Sequence, residues 1–332
     1  MSYPLFLKAS YLKLNVPKKL IWIILRALLS VSLLTVLVLK IPVHKAISCL
    51  SVYLLPFVLF SLASYLIGQT ICSLKWRMLT KSLMPSITLN AKYFVSLYLV
   101  GIFFSMLFPS TIGGDVFRTW HFSKKTNKPS EAILTVLLER VTGGFGLISM
   151  FMAASFFINL RMINIPKNMY KYINIFSVIL ILGIVVCIFL IFVFKNNAFK
   201  GSIIRSLTFM KNAKRLGLNV LFAYLLSIVF YFFFIFAHYL LGLSLGLKVD
   251  FVYYMFFVSA IALISIIPLT ISGLGLREGG YVFFLTLLGV SNQKALVFGM
   301  LWLIVLILGA ALGGILYLLG ICDNGAKTST ES

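Results

Sequence analysis

Phe108-Pro109-Ser110-Thr111-Ile112-Gly113-Gly114-Asp115-Val116-Phe117-Arg118 interrupts a long apolar segment with a proline, two glycines and two opposite charges. Proline removes a backbone donor and the paired glycines loosen the chain, so the stretch reads as a break between helices. The chain repeats it later as Ile267-Pro268-Leu269-Thr270-Ile271-Ser272-Gly273-Leu274-Gly275-Leu276-Arg277-Glu278. Both follow the ungapped pattern Pro-x-Thr-Ile-x-Gly-x-x-x-Arg, which marks an internal repeat. Interrupted apolar segments at matching places in two halves are what a transporter built from related repeats shows. An ordinary pair of interhelical loops would also use proline and glycine. Against that reading, apolar runs flank each motif closely, and charges lie where a bilayer makes them costly.

Of 332 residues, 61% are hydrophobic and 11% charged, and the mean hydropathy is +1.07, values that no soluble domain fits. Runs of about 20 apolar residues, enough to cross ~30 Å of hydrocarbon, recur throughout. They do not alternate, which fits spanning helices rather than barrel strands. The expected fold is an all-α integral membrane protein, a polytopic bundle with two re-entrant, broken-helix hairpins in an inverted repeat. Residues 1–322 form a single transmembrane domain with repeat-like units at about 93–160 and 251–320, and 323–332 form a disordered polar tail. The net charge of +22 falls in short loops between spans, so it speaks for membrane orientation and against nucleic acid. Cys49, Cys72, Cys187 and Cys322 are scattered singly and suggest neither a metal site nor a disulfide framework.

The chain reads as an uncleaved span from Leu20 to Leu39 and a second from Ala46 to Leu74, bent at Pro56. A loop with Lys75, Arg77, Lys81 and Lys92 follows, and then the run Tyr93 to Phe108 enters the first motif. Pro129-Ser130-Glu131 starts a helix reaching Asn159, with a cap and an acid in its first turn. Spans at Tyr172 to Phe194, Leu218 to Leu241 and Phe251 to Ile271 come next, the last entering the second motif. The most basic loop, Lys195 to Arg215, separates the first two of these. Tyr281 to Val290 is too short to cross, whereas Ala295 to Leu319 is long enough. If Tyr93 to Phe108 re-enters, Lys and Arg collect on one side with the N-terminus cytoplasmic; if it crosses, they divide evenly. The positive-inside rule selects re-entry. Three full crossings then separate the motifs, so the hairpins open to opposite faces and their tips meet near the midplane.

Only seven acids occur, and Asp115, Glu139 and Glu278 lie in or near the motifs. Charges inside a bilayer pair with one another or face water. Arg118, Arg140 and Arg277 have planar forks suited to phosphate, with Asp115, Glu139 and Glu278 to orient or neutralise them. Backbone N–H groups at Gly113, Gly114, Gly273 and Gly275 would add anion affinity at helix starts. These residues are the candidate substrate-binding set, with no catalytic residue, metal or cofactor assigned. The same charges could serve as internal salt bridges holding broken helices together, and the two roles are compatible. Gly309-x-x-x-Gly313 and Gly242-x-x-x-Gly246 read as helix-packing notches. His44, His121 and His238 stand alone and suggest no metal. Arg26 either snorkels or pairs.

Three blocks in order, Gly113-Gly114-Asp115-x-x-Arg118, Glu139-Arg140-x-Thr142-Gly143 and Gly273-x-Gly275-x-Arg277-Glu278-Gly279, resemble the transmembrane domain of lysylphosphatidylglycerol synthases. The resemblance covers nearly the whole chain. It implies a flippase-like membrane protein that moves a phospholipid or lipid-linked amphiphile between leaflets, in a prokaryotic cytoplasmic membrane. The sequence ends at Ser332 without a soluble aminoacyl-transferase domain, so aminoacylation is not implied. Pro109-Ser110-Thr111-Ile112 stands where the family has a glycine-rich version.

Expected partners are membrane lipids with anionic or phosphate-bearing head groups. Two other functions fit the composition: a membrane-embedded transferase acting on a lipid phosphate, and a membrane partner of a separately encoded synthase or glycosyltransferase. The transferase reading lacks the clustered carboxylates that hold Mg²⁺ against phosphate. A docking role would use the basic loop Lys195 to Arg215. No Walker pattern points to direct use of ATP.

Overall fold

The computed structural model describes residues 54–108, 113–160, 213–266, 270 and 273–321, together with Ser32 and Thr35, and the regular structure among them is helical. The expected spans Leu20 to Leu39 and Tyr172 to Phe194, Arg26, the loop before Ala213, Pro109 to Ile112, Pro268 and the tail lie outside the described residues.

Helix α1 is Leu55–Leu83, nine residues longer at its end than the apolar run suggested. Pro56 occupies its first turn, where no intrahelical donor is required, and so starts the helix instead of bending it. Helix α2, Ala91–Leu107, is capped by Asn90, whose side chain accepts the Tyr93 N–H at 2.9 Å. It stops because Phe108, preceding proline, takes an extended conformation with ψ 143°. Helix α3, Gly113–Thr126, returns beside it. Helix α4, Pro129–Leu160, begins at its proline with Glu131 in the first turn; Ser130 is inside the helix and not at its cap. Helices α5 (Ala213–Ser244), α6 (Phe251–Ile266), α7 (Leu276–Leu287) and α8 (Asn292–Leu318) complete the set. The run entering the second motif is described as helix to Ile266, and the rest of the expected run, 267–269 and 271, lies outside the described residues.

Only α1, α4, α5 and α8 are long and apolar enough to cross a bilayer among the described residues; α2 and α6 are shorter apolar helices. Each short helix pairs with its successor as an antiparallel hairpin. Phe104 stacks on Phe117 at 4.0 Å in the first, and Phe257 stacks on Phe284 in the second. Gly114 makes the first hairpin tight. A methyl group there would meet the Gly101 carbonyl oxygen at 2.0 Å.

The packing obeys one exchange. Replacing α1, α2, α3 and α4 by α5, α6, α7 and α8 turns every substantial helix pairing into another that is present: α2 lies on α8 as α6 lies on α4, and α1 meets α8 as α5 meets α4. The repeat thus reaches back beyond 93 and 251 to include α1 and α5. These two pack on each other, and their contacts run in opposite directions. Ser61 donates to the Ala237 carbonyl at 2.9 Å, Ser64 to Phe233 at 2.8 Å, and Asn219 donates to Ser82 at 2.6 Å. Corresponding helices that are antiparallel require a two-fold axis perpendicular to them, which is the geometry of an inverted repeat. Gly309 and Gly313 are notches in α8: methyl groups there would strike Tyr65 of α1 and the Leu99 carbonyl of α2. Gly242 is likewise filled by Tyr254, while Gly246, at φ 64°, closes the turn after α5.

Candidate functional site

Helix α3 presents Asp115 and Arg118 one turn apart, and α4 presents Glu139 and Arg140 side by side. The antiparallel packing of these helices brings all four together. Arg140 holds Asp115 through two bonds, Nε to Oδ2 at 2.7 Å and Nη2 to Oδ1 at 2.6 Å. Arg118 donates from Nη2 to Asp115 Oδ1 and to Glu139 Oε2, the latter at 3.2 Å. Its guanidinium lies over Tyr98 at 4.2 Å and Trp76 at 5.0 Å. Trp76 is fixed in turn by its indole N–H, which donates to Thr135 at 3.1 Å. Space for the arginine exists because α2 has Gly101 there; a methyl group would come within 2.8 Å of Arg118 Cγ.

The sequence reading missed a member of the site. Lys75, which reads from the sequence as part of a loop, lies within α1 and is 1% exposed. Its ammonium reaches Glu139 Oε1 and the Glu139 carbonyl, both at 3.2 Å, and Ser227 Oγ on α5 at 3.0 Å. Three acceptors match its three protons. Glu139 thereby joins cations from α1 and α3 on one carboxylate. The apolar run breaks at Lys75, which is why a sequence reading ends the span there. The lysine's position one residue before Trp76, a large apolar residue, was the available sign that the helix continued.

Arg277 and Glu278 do not join this group. They form a neighbouring-residue pair on α7, with Arg277 Nη2 to Glu278 Oε1 at 2.9 Å, and no ion pair among the described residues links it to the first. Around the second hairpin His238 of α5 meets Tyr281 of α7 at 2.8 Å. His238 Nδ1 faces the Phe234 carbonyl at 2.8 Å and must donate, so Nε2 accepts the tyrosine proton. Its ring lies on Trp302, centroids 3.7 Å apart. Of the candidate residues, the structure gathers Asp115, Arg118, Glu139 and Arg140 with Lys75, and pairs Arg277 with Glu278.

Two of the four glycine N–H groups are already committed. Gly114 donates to Ser105 Oγ at 3.1 Å, and Gly275, at φ 80°, donates to Glu278 Oε2 at 2.7 Å. Gly113 begins α3 against Phe108, and Gly273 precedes α7 at φ 77°. Among the described residues no cluster of His, Cys, Asp and Glu side chains is arranged to hold a metal ion.

Among the described residues, the most exposed side chain of the first group is Arg140. Arg118, Glu139 and Lys75 are buried, but the Arg140 side chain is 53% exposed. Leu137, three residues before it on α4, and the adjacent Val141 are exposed, while Val136 and Leu147 are buried; α3 adds exposed Val116 and Trp120. Arg140 lies about 16 Å from the start of α4 at the standard rise, well inside the helix. A guanidinium at that depth on an apolar face costs ~2.5 to 3.5 kcal/mol on insertion scales.

Helical hairpins, an inverted repeat and four helices long and apolar enough to cross a bilayer define a polytopic α-helical membrane protein. The chain matches the family described as the lysylphosphatidylglycerol synthase TM region over residues 23–314, and it belongs to that family. It is also 30% identical over 203 residues to a UPF0104 membrane protein of Methanocaldococcus jannaschii, an alignment covering 58% of this chain and 83% of the relative. No solved structure matches the chain.

Proposed function

We propose that the protein moves a phospholipid or lipid-linked amphiphile between leaflets, the head group passing the Asp115–Arg140 pair while the acyl chains stay in lipid. The observation that carries this reading is Arg140, half exposed beside exposed apolar residues yet tied through Asp115 to a buried network. A purely architectural pair gains nothing from lateral exposure at that depth. A head-group phosphate offers the arginine fork the same bidentate geometry that Asp115 now supplies, so lipid and carboxylate can exchange on it. Membership of the lysylphosphatidylglycerol synthase TM region family supports a lipid-related role.

Orientation follows from charge. Arg77, Lys81, Lys92, Lys124, Lys125 and Lys128 lie at the end of the bundle where α1 and α3 finish and α2 and α4 begin, whereas Lys248 and Lys294 lie at the other. The basic end faces the cytoplasm of a prokaryotic cell by the positive-inside rule, and the N-terminus shares that side. Trp120, with Lys124 at 4.2 Å over its ring, suits the interface there.

The test is leaflet exchange in vesicles. Purified protein is reconstituted with fluorescent phospholipid, and dithionite quenching reports the inner-leaflet pool over time. Faster exchange than in empty vesicles, scaling with protein content, supports the proposal; exchange equal to that of empty vesicles overturns it.

A further inference from the structure

The exchange that relates the two repeats does not extend to the bonds that fasten their hairpins. In the first repeat, Asp115 and Arg118 of α3 are bonded to Arg140 and Glu139 of α4, and Lys75 ties Glu139 to α1. In the second, the ion pair of α7, Arg277 with Glu278, closes within α7, and the other Glu278 oxygen accepts the Gly275 N–H. On α6 the buried Tyr254 Oη and Ser259 Oγ have no hydrogen-bond partner among the described residues. Tyr281 does cross to a long helix, donating to His238 Nε2 of α5 at 2.8 Å. Beside that bond the seat is apolar, with Phe151 of α4 against Phe256 of α6 at 5.1 Å between ring centroids. The two arms are meanwhile joined to each other: Phe257 stacks on Phe284, and a methyl group at Gly280 would come within 2.8 Å of Ile261.

The ends of this hairpin meet at one place. Gly246, at φ 64°, precedes α6, and Gly289, at φ 82°, follows α7; at either one an added Cβ would find nothing within 4 Å. Both close helix C-termini, where a left-handed glycine is the ordinary choice. What goes beyond capping is Lys294, in the first turn of α8, which donates to the Leu245 carbonyl at 3.1 Å and holds the two glycine turns side by side. The turns flanking the first hairpin are built otherwise, with Met84 and Leu89 buried before α2 and Asn127, at φ 53°, after α3. A stiff piece that enters and leaves through adjacent, uncrowded glycines has the build of a hinged element.

We propose that the second hairpin is the moving part of the molecule: α6 and α7 swing as one piece about Gly246 and Gly289, and His238 with Tyr281 is the latch that holds the resting position. The first hairpin stays fixed to α1 and α4. Tyr254 and Ser259 give up no hydrogen bond when the second hairpin leaves its seat, whereas moving the first off α4 would strand buried charges, which is strongly disfavoured. The motion belongs to the chain and does not rest on the translocase reading, since its test involves no lipid transport.

The experiment is double electron–electron resonance between spin labels, on a cysteine-free background in phosphatidylcholine nanodiscs. One pair joins α7 to α1, Phe283→Cys with Ile67→Cys. The control joins α3 to α5, Trp120→Cys with Leu225→Cys; the repeat exchanges the two helix pairs, and all four positions are exposed. The α7 to α1 pair should show a main distance and a second, less populated one, and the control pair a single distance. Tyr281→Phe removes one oxygen and keeps the ring, and should raise the ratio of the second distance to the first at least ~10-fold, the scale of one hydrogen bond. His238→Phe should do the same, with the control pair unchanged in both variants. A single unchanged distance between α7 and α1 in the parent and both variants overturns the proposal. A second distance that appears equally in the control pair also overturns it, because the bundle would then be loosening as a whole.

Discussion

Lys75 and Glu139 meet at 3.2 Å between α1 and α4, with side-chain exposures of 1% and 4%, and this buried pair is the joint between the first hairpin's network and the long helices. Glu139 could not remain charged there on one partner without large desolvation cost; Arg118 on its other oxygen supplies the second. Removing the lysine leaves a buried carboxylate with one cation fewer. Lys75→Met should therefore lower stability by about 3 to 5 kcal/mol, read as a shifted midpoint of thermal unfolding in detergent. The double variant with Glu139→Gln should recover part of the loss. If Lys75→Met melts with the parent, the pair is not what holds α1 to α4.

Two glycines give opposite expectations. Gly114→Ala places a methyl group 2.0 Å from the Gly101 carbonyl oxygen, whereas Gly144→Ala on α4 meets nothing within 4 Å. Overpacking should cost the first about 1 to 3 kcal/mol, while the second should be neutral or slightly stabilising through helix propensity. Unfolding midpoints of the two variants check this, and equal midpoints would mean that α2 and α3 are not in close contact.

The second hairpin depends on His238. With Phe at 238 the buried Tyr281 hydroxyl loses its acceptor, which should cost ~1 to 3 kcal/mol. Converting Tyr281 to Phe as well removes the orphaned group, so the double variant should be more stable than His238→Phe alone. Purely additive losses would argue against the hydrogen bond.

Topology is open to labelling. On a background lacking cysteine, Lys92→Cys and Lys124→Cys should react with a membrane-impermeant maleimide from the cytoplasmic side, and Lys248→Cys from the other. Reaction of Lys92→Cys and Lys248→Cys from the same side would contradict the inverted repeat.

The helical class, the breaks at the two motifs and the grouping of Asp115, Arg118, Glu139 and Arg140 were legible because each rests on local signals: apolar run length, proline with glycine, and scarce acids. Lys75 was not legible. A lysine after twenty apolar residues looks like a span's end, and only the partners Glu139 and Ser227, distant in sequence, show that it is inside. The partner of Arg277 was hidden for the complementary reason. Its repeat position matches that of Arg118, but Asp115 aligns with Leu274, so the same arginine finds its carboxylate next door instead of across a helix pair. Repeat identity predicted backbone geometry and did not predict charge geometry. The reach of the repeat back to α1 and α5 rests on packing, and no shared motif in those helices announced it.

If Arg140 receives the head group, fluorescent phospholipid exchange in vesicles reconstituted with Arg140→Gln at matched protein content should slow at least ~10-fold, the loss expected for one charge-assisted bond to phosphate, with the unfolding midpoint little changed because the side chain is half exposed. Exchange at the parental rate in a stably folded Arg140→Gln protein would contradict it.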